Sequence, residues 1–197
     1  PRVVQITRIH SSNNVTKTIT NHFKYDHMDR LKEQLVDIDG DQSFTKYEYD
    51  ELGNLKVRNL NGMQSTSYKH NIRGWIAQIN GGANLDDEND KFGMNIKYTN
   101  SGLFNGSIGE VEWKSLTTGN SASLQSYQYE YDGLGRIKKA LYNTGLSNAG
   151  HFDVGRSGEG ITYDANGNIQ RLERHTQGNL TDDLSYQYNN GNQLSSL

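Results

Sequence analysis

Four aspartates recur in one setting. Asp26, Asp50, Asp132 and Asp164 each follow a tyrosine, at Tyr25, Tyr49, Tyr131 and Tyr163. Carboxylates do acid–base work in hydrolytic sites only when two of them converge on one scissile bond. Four aspartates in equivalent places along a repeat are spread out instead. An Asp at the first position of a turn accepts hydrogen bonds from backbone N–H groups further on, so these residues are read as turn stabilisers. The other chemical candidates fail on spacing. The run Asp86-Asp87-Glu88-Asn89-Asp90 offers oxygen ligands but lacks the mid-loop glycine and distal bidentate glutamate of a calcium loop, and it is read as a solvated loop. His10, His22, His27, His70, His151 and His175 show no zinc-ligand spacing. Gly155-Arg156-Ser157-Gly158-Glu159-Gly160 has no Gly-Lys-Ser/Thr ending and opens no helix, which leaves it as a flexible connection. No serine is framed by a nucleophile elbow, and the absence of cysteine excludes thiolate sites and disulfides. No catalytic, cofactor-binding or metal-ligating residue is assigned, and the chain is expected not to be an enzyme. Trp75 and Trp113, with exposed tyrosines, form a possible platform for stacking sugars. Packing into an apolar sheet face competes with that reading.

Behind these residues lies a repeat. Tyr47-Glu48-Tyr49-Asp50-Glu51-Leu52-Gly53-Asn54-Leu55, Tyr129-Glu130-Tyr131-Asp132-Gly133-Leu134-Gly135-Arg136-Ile137 and Ile161-Thr162-Tyr163-Asp164-Ala165-Asn166-Gly167-Asn168-Ile169 share Tyr-Asp-x-x-Gly-[Asn/Arg]-[Leu/Ile]. Weaker copies fill the gaps. They are Tyr25-Asp26 with Asp29 in the glycine place, His70-Asn71 with Gly74, Tyr98 with Gly102, and Tyr188-Asn189 with Gly191 one place early. The anchors at 25, 49, 70, 98, 131, 163 and 188 give intervals of 24, 21, 28, 33, 32 and 25 residues, which suits a solenoid-like array. Of the 12 tyrosines, all but Tyr142 fall in or just before these motifs.

Each motif reads as a hairpin. Tyr47 and Tyr49 are two apart and share one face of a strand, while Glu48 takes the other. Gly53, three residues after Asp50, sits where a type I turn with a G1 bulge needs a left-handed residue, and Leu55 starts the return strand. Gly109–Lys114, Arg136–Tyr142 and Asn168–Arg174 alternate as half-buried strands. The fold class is therefore all-β: successive antiparallel hairpins forming one curved sheet, with residues 1–197 as a single array of about seven repeats. Burying each large side chain of such a face contributes roughly 1.5–3 kcal/mol.

Composition narrows the function. Net charge is −3, with no basic stripe, so nucleic acid is not an expected partner. No apolar run has the length of a membrane-spanning helix. Hydrophobic residues make up only 32%, which leans toward disorder, but 12 tyrosines, 21 glycines and one proline argue for strands and tight turns. A chain that begins at Pro1 is expected to be a processed protein or part of a longer one.

The motif resembles the YD repeat of bacterial Rhs proteins, also found in wall-associated proteins, toxin-complex C-type subunits and animal teneurins. The resemblance covers about Phe23 to Leu197. Asn71-Ile72-Arg73-Gly74-Trp75-Ile76 followed by Ile79-Asn80 is similar to a variant recurring in Rhs-like proteins of Bacteroidetes, as is Phe104-Asn105-Gly106-Ser107-Ile108 followed by Trp113-Lys114. It implies a long antiparallel sheet that spirals into a hollow shell, which when complete can enclose a C-terminal toxin. On this reading the chain is a structural segment of a secreted or cell-surface protein. Its partner is the rest of that protein's shell. The alternative is a carbohydrate- or partner-binding module using its exposed aromatics. Terminal stretches Val3–Thr7 and Leu184–Tyr188 are expected to be open edges that self-associate.

Overall fold

The chain is all-β, and successive hairpins follow the repeat. The structure, a computed structural model, describes residues 2–13, 15–85, 90–99, 102–116, 123–144, 152–156 and 158–197. The acidic stretch 86–89, His151, Ser157 and the motif positions Asn100 and Ser101 lie outside the described residues. The chain divides into two compact units, Pro1–Asn80 with Asp87–Asp90, and Gly81–Asp86 with Lys91–Leu197.

The first unit runs β1 (Gln5–Ser12), β2 (Val15–Tyr25), β3 (Leu31–Ile38), β4 (Asp41–Tyr49), β5 (Leu55–Leu60), β6 (Gln64–His70) and β7 (Ile76–Ile79), each antiparallel to the one before it. Two kinds of turn alternate. The motif turns join β2 to β3, β4 to β5 and β6 to β7. Between them come short turns. Asp39 and Gly40, the two residues between the paired Ile38 and Asp41, take φ 53 and 97, as a type I′ hairpin requires. Asn61 and Gly62 take φ 51 and 68 in a three-residue connection, completed by Met63, between the paired Leu60 and Gln64. Alternation sets the faces. In β4, Ser43, Thr45, Tyr47 and Tyr49 turn to the more buried side, and Gln42, Phe44, Lys46 and Glu48 to solvent.

The second unit holds β8 (Phe92–Lys97), β9 (Glu110–Ser115), β10 (Gln125–Tyr131), β11 (Ile137–Thr144), β12 (Phe152–Val154), β13 (Thr162–Tyr163), β14 (Ile169–Thr176), β15 (Asn179–Ser185), β16 (Gln187–Tyr188) and β17 (Leu194–Ser196). Strands β8 to β12 follow in order. β12 and β13 then share one side of β14, and β15 takes the other. The residues between β12 and β13 loop out of what is otherwise one strand position. β16 and β17 pair only with each other among the described residues.

Three expectations change here. The Tyr98 copy closes no tight hairpin, because β8 pairs with β9 and the return strand begins only at Glu110. Thr99 holds the place of the turn aspartate there and has no carboxylate to gather the N–H groups. Leu184–Tyr188 is not one open edge strand. Leu184 and Ser185 pair with Leu172 and Arg171, and Gln187 and Tyr188 pair with Ser196 and Leu194. The glycine-rich connection is not a loose one. A Cβ on Gly155 would fall 2.4 Å from Gly160 Cα, on Gly158 2.1 Å from Glu173 Oε2, and on Gly160 2.1 Å from the Lys138 carbonyl oxygen. Gly155 and Gly160 leave no room for a side chain against backbone, Gly160 lying close on β11, while at Gly158 the Glu173 carboxylate would have to move.

Candidate functional site

The motif turns share one geometry. Asp50 accepts from the N–H groups of Leu52 (3.0 Å) and Asn54 (2.8 Å) through Oδ1, and from the Asn54 amide at 3.0 Å through Oδ2. Asp164 repeats this with Asn166 and Asn168. Asp26 and Asp132 do so with an arginine instead, Arg30 Nε and Arg136 Nε reaching Oδ2 at 2.7 and 2.6 Å. The Gly53 N–H donates to the Asp50 carbonyl at 3.0 Å, and the Asp50 N–H to the Asn54 carbonyl at 2.9 Å. That pair of bonds is the type I turn with a G1 bulge. The left-handed position is filled by Asp29 (φ 66), Gly53 (87), Gly74 (77), Gly135 (78), Gly167 (90) and Asn192 (61).

These bonds hold the carboxyls ionised. The Asn54 side chain, with the Asn54 and Leu52 N–H groups, keeps Asp50 below the usual aspartate value against the opposing pull of burial. Asn168 does the same for Asp164. At Asp26 burial pushes upward, but the Arg30 and Met28 N–H groups and the Arg30 guanidinium outweigh it. At Asp132 the Arg136 N–H and guanidinium lead. Each carboxylate is spent within its own turn.

A further device lies beside each turn. Lys24 pairs with Glu33 and the next pair is Tyr25 with Leu31, so Lys32 is left over as a bulge. The same slip leaves out Lys56, Ala77, Lys138, Gln170 and Ser195. The ladder from β3 to β4 stops at Glu33 and Lys46, so the carbonyl of Leu31 lies beyond it. The hydroxyl of Tyr49, from the following hairpin, donates to that carbonyl at 2.8 Å. The arrangement recurs as Tyr25 on Val3 (2.8 Å), Tyr131 on Ile108 (2.8 Å), Tyr163 on Ile137 (2.6 Å) and Tyr188 on Ile169 (2.9 Å). The motif tyrosine therefore clasps the hairpin before it. Where the motif arginine is present it also covers the next tyrosine, with Arg30 4.6 Å from the Tyr49 ring centroid and Arg136 4.3 Å from that of Tyr163.

The opposite ends of the hairpins carry a second clasp. Asn61 donates its N–H to the Phe44 carbonyl at 2.9 Å and accepts the Phe44 N–H on Oδ1 at 2.6 Å. Asp39 does this with Thr18, and Asn80 with Ser67. An Asx residue in the left-handed conformation thus replaces one rung of the ladder. In the second unit the rung at Tyr142 is replaced by side chains. Asp153, fully buried, accepts the Tyr142 N–H and the Arg156 guanidinium, and Arg156 donates to the Tyr142 carbonyl at 2.8 Å. Sequence reasoning missed this joint, since nothing local marks Asp153 apart from other acids. The Asx clasps had a signal in Asp39-Gly40 and Asn61-Gly62.

The tryptophans fall in different units. Trp75 follows Gly74 in a motif turn and lies under the Arg73 guanidinium, 5.1 Å from its ring centroid. Trp113, on β9, stacks on Tyr127 at 5.9 Å and meets Tyr142 at 6.2 Å. Both rings are half-buried. Among the described residues Tyr142, 2% exposed, is the one fully buried large hydrophobic side chain. The rest of the apolar face stays half-open.

No protein-family profile matches the chain, and no curated protein matches it. Solved structures similar to it include a porin-like protein from Bacteroides uniformis, 10% identical with a TM-score of 0.33, over 92% of this chain and 93% of that one. Another is TcdB2-TccC3-TEV, 12% identical with a TM-score of 0.34, over 90% of this chain and 10% of that one. The chain spans about a tenth of the length of that second structure.

Proposed function

We propose that this chain is a non-enzymatic structural segment of a YD-repeat, Rhs-like protein, secreted or on the cell surface, and that it forms part of a β-shell wall. The observation that carries the reading is the tyrosine clasp, repeated five times, in a chain with one fully buried large hydrophobic side chain among its described residues. An independent globular domain offsets its conformational entropy with a packed core. Here stability is placed in joints between neighbours, as in repeat arrays. A half-open face of tyrosine and aliphatic residues suits the wall of a container. Electron microscopy of the intact gene product is expected to show a hollow β-walled particle. A compact solid domain would sink the scaffold reading. Specific glycan binding abolished by Trp75→Ala, with folding retained, would favour the sugar-binding module instead.

A further inference from the structure

Asn61, Asn80, Asn105, Asn166 and Asn190 each precede a glycine. In such a pair the glycine nitrogen can attack the asparagine side-chain carbon, because glycine has no Cβ to shield its nitrogen and turns freely. Attack needs the glycine N–H to lose its proton and the asparagine side chain to swing onto it. A hydrogen bond to either group therefore holds the reaction back. The fold holds every pair but the last. The Gly62 N–H donates to Asn59 Oδ1 at 2.9 Å, and Asn61 Oδ1 is fixed on the Phe44 N–H. Asn80 is 3% exposed, with its Oδ1 on the Ser67 N–H at 2.9 Å. Asn105 Oδ1 accepts the Ser107 N–H at 3.0 Å, beside a half-buried Gly106. Asn166 gives its side-chain amide to Asn192 Oδ1 at 3.1 Å, and the Gly167 N–H donates to the Asp164 carbonyl at 3.1 Å.

Asn190 stands apart. In the motif turns of Asp26, Asp50, Asn71, Asp132 and Asp164, Oδ1 of that first residue takes the N–H two places on. In the turn of Asn189 that N–H belongs to Gly191. There the Asn189 side-chain amide donates to the Asn190 and Gln193 carbonyls at 3.2 and 3.0 Å instead, and the Gly191 N–H has no acceptor among the described residues. Asn190 and Gly191 are both exposed, in the connection between β16 and β17. We propose that Asn190 is a site of spontaneous deamidation, and that its isoaspartate product releases the β16–β17 hairpin. The Gly191 nitrogen bonds to Asn190 Cγ, the bond from Cγ to the side-chain nitrogen breaks, and that nitrogen leaves as ammonia with the Gly191 proton. Water then opens the succinimide ring at either carbonyl, giving aspartate or isoaspartate. Isoaspartate carries the main chain through the former side-chain carbon and lengthens the turn by one methylene. Turn length fixes hairpin register, so the rungs Gln187–Ser196 and Tyr188–Leu194 no longer align. This reading is independent of the scaffold role.

The full chain, held for several weeks at neutral pH and in mild alkali, tests the site. Peptide mapping by mass spectrometry follows each pair, and enzymatic methylation counts isoaspartate. Deamidation is expected first at Asn190, about tenfold or more ahead of Asn61, Asn80 and Asn166. It should run faster in alkali, where hydroxide takes the amide proton, and Asn190→Gln should abolish the early release of ammonia. In denaturant the rates should converge. Another asparagine leading, equal rates in the folded chain, or a lead for Asn190 that persists in denaturant would each overturn the site. Hydrogen exchange tests the release. The isoaspartate fraction is expected to exchange faster at residues 187–196 and unchanged elsewhere, while Asn190→Asp, which adds the charge without the methylene, exchanges like the parent. Unchanged exchange in the isoaspartate fraction, or equal loosening in Asn190→Asp, would overturn the release.

Discussion

At the scale of residues, the tyrosine hydroxyl and the turn aspartate carry the fold. Removing the hydroxyl in Tyr49→Phe or Tyr163→Phe leaves a carbonyl without its donor and is expected to cost about 0.5–1.5 kcal/mol in urea unfolding. Tyr47→Phe serves as the control, since its hydroxyl holds no carbonyl among the described residues, and it is expected to unfold like the parent. The aspartates set an acid limit. Asp26, Asp50, Asp132 and Asp164 are held below their ordinary values, so their contribution is complete above the unfolded aspartate value of about 3.9. It is lost as pH falls through the lower folded values. Melting temperature is therefore expected to drop below about pH 4, less steeply in Asp50→Asn than in the parent; equal slopes would refute this assignment. The motif was legible because one turn geometry demands the same side chains each time. Tyr49 and Asp50 show it best. The clasp was not, since reading Tyr49 as a face residue says nothing about where its hydroxyl points, and the Leu31 carbonyl it reaches lies beside a bulge at Lys32 that a lysine in a strand does not announce.

At the scale of elements, glycine reports two different constraints. Gly135 needs its positive φ of 78 but has open space around it, so Gly135→Ala is expected to cost about 1–2 kcal/mol from the backbone alone. Gly133 has space and no such φ, so Gly133→Ala is expected to be neutral or slightly stabilising. Gly160→Ala joins a left-handed backbone to a Cβ 2.1 Å from the Lys138 carbonyl oxygen, and roughly 3 kcal/mol or more is expected. Chemical denaturation of the three variants ranks them, and a Gly160→Ala protein as stable as Gly133→Ala would show that the loop is slack after all. The strands themselves were readable from alternation, as β9, β11 and β14 show. The interruption between β12 and β13 was not, because Gly155–Gly160 is packed by residues of β11 and β14 distant in sequence.

At the scale of the molecule, the chain is held by neighbours and not by a centre. Opening free energies should therefore be graded along it. β16 and β17 ladder only with each other among the described residues and are tied to the preceding hairpin by a few bonds, Tyr188 on Ile169 among them, and β17 is exposed throughout. Such a pair is marginal alone in water. Hydrogen exchange of residues 187–196 is expected to run well ahead of β10 and β11, and uniform protection would point to one global core. The same phenols that join the hairpins also absorb light according to their ionisation. Burial raises Tyr49, Tyr131 and Tyr163 above the ordinary tyrosine value; the Asp26 charge adds to this at Tyr49, and the Ile108 carbonyl and the Arg136 charge partly offset it at Tyr131 and Tyr163. A neutral phenol is the donor, so these joints hold in full below about pH 10 and fail as pH rises through the higher folded values. Spectrophotometric titration in alkali should then record a late phenolate step from Tyr49, Tyr131 and Tyr163 that coincides with loss of the β-sheet dichroism, these three clasps reporting their own release.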